Sequence, residues 1–272
     1  MNKTIQQIIL LLFFIITGVS IASCDLGGSE ESEWELIWQD EFEGPAGQKP
    51  DANKWVYDIG TDWGNAQLEY DTDRPENASL DGEGNLAITA RKESYEGQNY
   101  TSARILTRGK FETTYGKIEA SILLPWGQGI WPAFWMLGND FNTVGWPACG
   151  EIDMMEYRGQ EVTKISGTVH GPGYSGSNGI GSEYELVKDR FDTGFHTFTL
   201  EWGVDYLKWF VDGILFQTIT PDDLPGEWVY DHPFYIILNV AVGGNYVGSP
   251  NQDTLFPQTM RVDYVRVYRA KQ

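Results

Sequence analysis

The chain contains the stretch Leu207-Lys208-Trp209-Phe210-Val211-Asp212-Gly213-Ile214-Leu215-Phe216, in which Asp212-Gly213 separates two short runs of large, mostly apolar residues. An Asp-Gly pair between such runs is a strong signal for a β-hairpin, because a two-residue turn of this kind needs positive φ at both positions. The stretch therefore predicts two antiparallel strands that share a tight turn.

Alternation of apolar and polar residues continues over much of the chain. Strict alternation places every second side chain on one face of a strand, so it indicates strands that are buried on one side. Turn residues, among them many of the 31 glycines, separate the alternating stretches, and long helical periodicity is absent. The clearest stretches are Leu86–Ala90, Gly116–Ile122, Phe195–Trp202 and Val262–Tyr268. The pattern predicts an all-β protein, an antiparallel β-sandwich of the jelly-roll (concanavalin-like) type.

Three acids lie close together in the segment Glu151-Ile152-Asp153-Met154-Met155-Glu156. On a regular strand Glu151 and Asp153 share one face, whereas Glu156 would point to the other face. A β-bulge at Met154-Met155 would add one residue and return Glu156 to the face of the other two acids. Retaining glycosidases need two carboxyl groups about 5–5.5 Å apart, so we expect both glutamates to lean inward over a concave cleft.

Crowding should also raise the pKa of at least one of these acids, because neighbouring carboxyl groups cannot all ionise freely. Such a group would be a proton donor near neutral pH.

Two other interpretations fit the same segment. As a helix it would carry scattered surface acids, although Pro147 and the flanking glycines disfavour a helix. As a metal site, three carboxylates would suit Ca²⁺.

The charge of the chain argues against one class of partner. The formal charge is −20 at pH 7, and no run of basic residues is longer than Arg91-Lys92. Such a surface repels phosphate backbones, so we expect no nucleic-acid partner. An uncharged polymer is not disfavoured.

The N-terminus has the pattern of an export signal. Lys3 precedes an apolar run that is too short to span a membrane but suits the core of a signal peptide. Ile21-Ala22-Ser23-Cys24 resembles the bacterial lipoprotein box, which predicts that Cys24 is lipidated. We expect a signal peptide over 1–23, a flexible tether over 24–33 and one domain over 34–272. The protein would be exported and anchored by lipid at the bacterial cell envelope, or else secreted.

Cys149 has no second cysteine with which to pair if Cys24 carries lipid. A catalytic thiol is one interpretation, because a histidine and acids are present in the chain. A buried, inert thiol beside an active strand fits better, because buried cysteines behave as small apolar residues.

The acidic segment matches the Glu-x-Asp-x-x-Glu active-site strand of glycoside hydrolase family 16, in its bulged, laminarinase-like form. Further segments that resemble the family stand in the family's order along the chain. They are Trp38–Phe42, Tyr115–Ala120, Gly129–Gly138, Gly167–Tyr174, Leu238–Gly244 and Met260–Tyr268. The resemblance covers nearly the whole domain. It implies a monomeric enzyme that acts on a polysaccharide and needs no cofactor for catalysis.

The resemblance implies a retaining endo-β-1,3-glucanase (laminarinase) that cuts β-1,3-glucan or mixed-linkage β-glucan through a covalent glycosyl-enzyme intermediate. Glu151 would be the nucleophile, Asp153 the assisting acid and Glu156 the acid/base. Two other functions stay open. One is a glycosidase of the same fold that acts on a marine galactan. The other is a non-catalytic carbohydrate-binding sandwich, which would not need three clustered acids.

The family also implies residues that contact sugar: Asn65, Arg104, Trp131, Trp135 and His170. A flat indole suits the apolar face of a pyranose, so we expect at least one of the two tryptophans to contact sugar. The sequence does not decide whether Trp126 and Trp146 contact sugar. The segment from Asn65 to Glu69 departs mildly from the laminarinase pattern, so the contacts to outer sugar units are not assigned.

Many members of the family hold a structural Ca²⁺. Its ligands in this chain would be Glu41, the backbone carbonyl of Gly84 and Asp263, all of which offer oxygen atoms. Surface acids without an ion are the alternative.

Overall fold

The computed structural model describes residues 33–271. The predicted signal peptide, Cys24 and nearly all of the tether lie outside the described residues, so these three expectations stay predictions. Within residues 33–271, no helix is long and apolar enough to cross a membrane.

Between residues 33 and 271 the chain forms seventeen strands, one short α-helix and two 3-10 turns. The strands are β1 (Trp34–Asp40), β2 (Val56–Asp58), β3 (Glu69–Asp71), β4 (Ala78–Leu80), β5 (Leu86–Tyr95), β6 (Gln98–Ser102), β7 (Arg104–Leu106), β8 (Gly116–Leu123), β9 (Ile130–Gly138), β10 (Glu151–Glu156), β11 (Lys164–His170), β12 (Ile180–Glu185), β13 (His196–Trp202), β14 (Leu207–Val211), β15 (Ile214–Ile219), β16 (Phe234–Val242) and β17 (Gln258–Ala270). The helix α1 spans Phe141–Val144, and the 3-10 turns span Gly176–Asn178 and Pro221–Asp223.

The strands form two sheets. The ten-stranded sheet has the order β15-β14-β13-β8-β17-β5-β6-β3, with β1 paired to β17 and β4 paired to β5. The seven-stranded sheet has the order β12-β11-β10-β9-β16-β7-β2. The strand pairs are antiparallel except for β3 with β6. Many neighbours in a sheet are far apart in sequence, as in a jelly roll. The predicted all-β jelly-roll sandwich is confirmed.

The predicted hairpin is formed by β14 and β15. Its two turn residues have positive φ, 50° at Asp212 and 75° at Gly213. The four stretches with clear alternation fall on β5, β8, β13 and β17. Local patterns of side chains and turns therefore predicted these strands correctly.

The seven-stranded sheet is buried on both faces at its centre, where all nine residues of β16 are buried. Ile236 and Leu238 belong to a large hydrophobic cluster that contains residues of both sheets. Tyr235 and Ile237 belong to a smaller cluster with Leu137. Since side chains alternate along a strand, the smaller cluster lies on the outer face of this sheet. That outer face carries the three acids.

Trp209 of β14 connects the two sheets beneath β10. Its Nε1 donates a hydrogen bond to the backbone carbonyl oxygen of Asp153 over 2.9 Å, and the side chain is fully buried. Gly167 of β11 leaves room for the ring, because a Cβ at this position would lie 2.6 Å from Trp209 Cδ1. Trp209 of the ten-stranded sheet is therefore hydrogen-bonded to the backbone of the seven-stranded sheet at Asp153, the middle one of the three acids.

Replacing Trp209 by Phe should leave the buried carbonyl of Asp153 without this donor. An unpaired buried group of this kind costs about 1–3 kcal/mol in the free energy of unfolding, which denaturant titration measures. Trp228→Phe is the matched control, because Trp228 Nε1 is buried without a hydrogen-bond partner within residues 33–271. Equal losses of stability in the two variants would show that the bond to Asp153 contributes nothing.

Candidate active site

The strand β10 contains the three acids and lies between β9 and β11. From Asp153 to Glu156 it advances three residues, while β11 advances two, from Thr168 to Ser166. The pairing with β9 shifts at the same place. One extra residue is therefore inserted in β10, and the β-bulge predicted at Met154-Met155 is confirmed.

The bulge separates the acids of β10 from its apolar residues. Ile152, Met154 and Met155 lie in the large hydrophobic cluster between the sheets. The acids lie on the outer face, where Glu151 and Glu156 each accept a hydrogen bond from an indole. The three acids thus share one face, as the sequence predicted.

Glu151 has a different neighbour at each carboxylate oxygen. Trp146, which follows α1, donates its Nε1–H to Glu151 Oε2 over 2.7 Å. His170 Nε2 lies 3.9 Å from the other oxygen, Oε1. A hydrogen-bond donor and a nearby imidazole both favour the charged form of this carboxyl group. The Trp146 side chain is 44% exposed, so part of its ring is free to contact a ligand.

Glu156 has its own indole donor. Trp131 of β9 donates its Nε1–H to Glu156 Oε1 over 3.1 Å. The Trp131 ring packs against Tyr246, with ring centroids 5.0 Å apart, and the Tyr246 hydroxyl hydrogen-bonds Ser166 Oγ over 2.9 Å. Trp131 therefore hydrogen-bonds Glu156, the predicted acid/base. Tyr246, which is itself hydrogen-bonded to Ser166, packs against the Trp131 ring.

Asp153 lies between the two glutamates and is 2% exposed. His170 Nε2 lies 3.2 Å from Asp153 Oδ2. Gly179 leaves room for the imidazole, because a Cβ there would lie 2.3 Å from His170 Cε1. His170, which the resemblance gave as a sugar-contacting residue, is therefore brought into the acid cluster.

Burial raises the pKa of all three acids. The pKa of Glu151 rises to about 8, through burial first and the charge of Asp153 second. The pKa of Glu156 rises to about 7, through burial first and the charge of Glu151 second. Asp153 has a pKa well above its usual value, through burial first and the charge of Glu156 second. The cluster titrates as a unit and retains protons at neutral pH, which agrees with the expectation from crowding.

Arg104 of β7 lies on the same side of β10 as β9 and β16. Its Cζ is 4.8 Å from the ring centroid of Trp135 and 5.2 Å from that of Trp63, and its Nε is 3.4 Å from Asp58 Oδ2. Trp135 Nε1 donates to Asn239 Oδ1 over 2.8 Å. The structure brings the predicted residues Arg104 and Trp135 together.

Asn65 lies in an exposed turn. Its backbone carbonyl accepts the N–H of Asn245, which follows β16, over 2.8 Å. The turn is therefore on the same side of β10 as Arg104.

Sequence reasoning did not single out Trp63, Asn239 or Tyr246, and it left two tryptophans open. Trp146 proves to contact Glu151, whereas Trp126 is a 41% exposed residue whose backbone N–H donates to a glutamine. No local signal marks these residues, because the chain has 11 Trp and 14 Tyr and most of their neighbours are distant in sequence.

Cys149 is fully buried and has no disulfide partner within residues 33–271. Burial raises the pKa of its thiol to about 12. The thiol therefore stays protonated at neutral pH, and the interpretation as a buried, inert cysteine agrees with the structure.

A metal ion was an alternative use of the acids. Glu151, Asp153 and His170 offer three ligand atoms that lie within 4.8 Å of one another. However, Glu151 Oε2 already accepts the Trp146 N–H, and Glu156 is not part of this group. A cation held by these three residues would not account for Glu156, which the bulge brings to the same face.

The residues expected to hold Ca²⁺ are not arranged as the ligands of a metal ion. Both oxygens of Glu41 accept hydrogen bonds from Arg266, each over 2.8 Å. Asp263 is exposed, and Gly84 lies in a bend with φ of 85°. Because Arg266 already neutralises Glu41, these residues do not fit Ca²⁺ without moving. The ion stays a prediction from the resemblance, and no catalytic step depends on it.

The sequence profile of glycosyl hydrolases family 16 matches residues 61–266. A β-glucanase of Rhodothermus marinus is 41% identical over 264 residues, which cover 92% of this chain and 91% of the relative. The laminarinase catalytic domain of Thermotoga maritima has a TM-score of 0.83 and 49% identity, over 88% of this chain and 99% of that chain. The endo-β-1,3-glucanase of Pyrococcus furiosus has a TM-score of 0.83 and 46% identity, over 88% and 95%.

A jelly-roll sandwich that presents clustered, proton-holding acids beside partly exposed tryptophans has the architecture of a polysaccharide-cleaving glycosidase. The matches extend over nearly the whole described domain and include the acidic strand. The chain belongs to glycoside hydrolase family 16.

Replacing Trp146 by Phe should remove the N–H donor of Glu151 but keep an aromatic face. Because the donor favours the charged form of Glu151, its loss should raise the pKa of this acid and move the acidic limb of the kcat/KM profile upward by up to about one pH unit. Trp126→Phe is the matched control, because Trp126 has similar exposure. Superimposable profiles for Trp146→Phe and the wild type would contradict this role.

Proposed function

We propose that the protein is a retaining endo-β-1,3-glucanase that cuts β-1,3-glucan, or mixed-linkage β-glucan, within the polymer chain. The observation that carries the proposal is the pair Glu151 and Glu156. The two carboxyl groups share one face across the bulge, and each has a separate indole donor. A retaining mechanism needs two such groups, one charged and one protonated.

In the first step Glu156 donates its proton to the glycosidic oxygen while a carboxylate oxygen of Glu151 attacks the anomeric carbon. The glycosidic bond breaks, the leaving sugar takes the proton, and a glycosyl ester forms on Glu151. In the second step Glu156 removes a proton from water, and the water oxygen replaces Glu151 at the anomeric carbon. Two inversions at this carbon retain the β-configuration.

Asp153 acts as a positioning residue in this scheme. It lies between the two glutamates on the same face of β10, and His170 Nε2 is 3.2 Å from its Oδ2. Burial places the pKa of Glu151, about 8, above that of Glu156, about 7, whereas the scheme needs the negative charge on Glu151. The His170 imidazole and the Trp146 N–H act in that direction.

A neutral glucan fits the charges around the acids better than a sulfated galactan does. Arg104 lies 3.4 Å from Asp58, and Arg158 lies 3.4 Å from Glu161, so both cations already have acidic partners. The aromatic rings around the acids suit the apolar faces of pyranose units. Relatives with this fold are named laminarinases and endo-β-1,3-glucanases, which supports the same substrate class.

The proposal is tested by product analysis on laminarin, lichenan and agar. We expect cleavage of laminarin into a range of oligosaccharides, with the β-anomer first in proton NMR spectra of early products. Glu151→Ala should lower kcat by more than about a thousandfold, because the nucleophile is lost. Glu161→Ala is the control, since Glu161 is a partly exposed acid that pairs with Arg158.

Several outcomes would overturn this proposal. The α-anomer as first product would exclude the retaining mechanism. Undiminished activity of Glu151→Ala would exclude Glu151 as nucleophile. Cleavage of agar alone would move the substrate to a galactan, and binding of laminarin by the wild type with no new reducing ends would indicate a carbohydrate-binding protein.

The raised pKa of Glu156, about 7 against a usual 4.5, keeps the acid protonated up to neutral pH. We expect kcat/KM to fall about tenfold per pH unit above this pKa, because the first step needs the protonated form. With an activated aryl β-glycoside, Glu156→Gln should remove this alkaline limb, since the titrating group is gone. A limb that persists in Glu156→Gln would assign it to another group.

A further inference from the structure

Glu69 is a buried acid that the proposed chemistry does not use. It lies on β3 and is 1% exposed. Its Oε2 accepts the backbone N–H of Val242 over 2.7 Å. This hydrogen bond joins residues 173 positions apart in the sequence, so it fixes one distant segment against another.

Val242 is the last residue of β16 and lies close to the site. It pairs with Ile130 of β9, and the preceding residue, Ala241, pairs with Trp131. Trp131 is the donor to Glu156. The carboxyl group of Glu69 is therefore attached to the strand end beside this indole.

The same strand end holds an exposed turn. Asn65 and Ala66 have φ of 54° and 57°, a left-handed conformation that asparagine tolerates but alanine rarely adopts. Two backbone hydrogen bonds keep it in place, from Asn245 N to Asn65 O and from Leu68 N to Val242 O, each over 2.8 Å. Such a conformation persists only where its surroundings impose it.

The turn lies beside Trp131. Gly244 separates the two, and a Cβ on Gly244 would lie 2.8 Å from Asn65 O and 3.5 Å from the Trp131 ring. The backbone of an exposed turn and a largely buried indole, 8% exposed, therefore stand next to each other on the β9–β16 side of the acids. The exposed turn offers polar groups at this edge of the site, and polar groups of this kind fix the orientation of a sugar unit.

The contact to the Val242 N–H is made through an acceptor oxygen of Glu69. Burial raises the pKa of Glu69 to about 7, while backbone donors and Arg104 act in the opposite direction. A neutral amide at this position would offer the same oxygen to the Val242 N–H. Glutamine is therefore a conservative replacement, whereas alanine removes the acceptor.

We propose that Glu69 is a positioning residue, which holds the Val242 strand end so that the Asn65–Ala66 turn stands ready beside Trp131 to bind glycosyl units of the substrate. The inference rests on the proposed function, because it assigns the turn to binding of the same polysaccharide. Glu69 affects the binding of the sugar units that lie on the β9–β16 side of the scissile bond. The chemistry at Glu151 and Glu156 is unchanged.

Steady-state kinetics on β-1,3-gluco-oligosaccharides of increasing length, and on laminarin, test this proposal. Glu69→Ala should raise KM for long substrates by about fivefold or more while kcat changes by less than about twofold, because the turn contributes binding and not chemistry. The shortest substrates that are cleaved should show no such rise. Glu69→Gln should restore KM to within about twofold of the wild type, since it keeps the acceptor.

A second pair of variants avoids the buried position. Ala66 is exposed, so Ala66→Val and Ala66→Gly should both fold. A β-branched residue disfavours positive φ, so Ala66→Val should raise KM for long substrates as Glu69→Ala does. Glycine adopts positive φ freely, so Ala66→Gly should keep the KM of the wild type.

An unchanged KM for long substrates in Ala66→Val would overturn the proposal even if Glu69→Ala fails to fold. An equal loss of kcat on all substrate lengths in Glu69→Ala would also overturn it, since that result indicates damage to the chemistry. Failure of the wild type to cleave laminarin would contradict the proposed substrate alone. The Ala66 pair would then be compared on the polysaccharide of the panel that the wild type does cleave.

Discussion

Side chains alternate between the two faces of a strand, so acids five residues apart, such as Glu151 and Glu156, point in opposite directions on a regular sheet. The bulge in β10 removes this conflict by one inserted residue. Because of it, Met154 and Met155 both enter the core while Glu156 returns to the outer face. The neighbouring strands, the core beneath β10 and the chemistry above it all depend on this single irregularity in register.

Placing three acids together on a buried surface is unfavourable, because each loses water and each repels the others. The structure offsets this cost with specific partners. An indole N–H binds each glutamate, the imidazole of His170 lies beside Asp153, and the cluster keeps protons that free acids would release. The same burial that makes the cluster unfavourable also leaves it with protons at neutral pH, which a proton donor requires.

The walls of the site come from segments that are far apart in the chain. Arg104 lies between Trp63 and Trp135, and Glu69 ties β3 to the end of β16. Beneath the site, Trp209 of the other sheet holds the backbone of Asp153. Each of these contacts positions a residue of the site through a neighbour that is distant in the sequence. The precision of the site therefore depends on the packing of the whole sandwich.

Sequence patterns by themselves determined the four strands with clear alternation, the hairpin at Asp212-Gly213, the sandwich class and the shared face of the three acids. These properties are local, because alternation, turn chemistry and a bulge involve residues within a few positions of one another. The resemblance to family 16 added the residues that lie near the acids. The export signal and Cys24 rest on sequence alone.

Only the tertiary structure decided which tryptophan binds which acid, and that Glu41 pairs with Arg266. It also revealed Glu69 as a link between two cleft segments. These contacts join residues that the fold brings together across strands and loops, such as Glu69 and Val242. Alternation predicts the face on which a side chain lies. It does not predict which of the many aromatic or acidic residues lies opposite that side chain. That choice depends on the register and crossing of distant strands, which no local pattern contains.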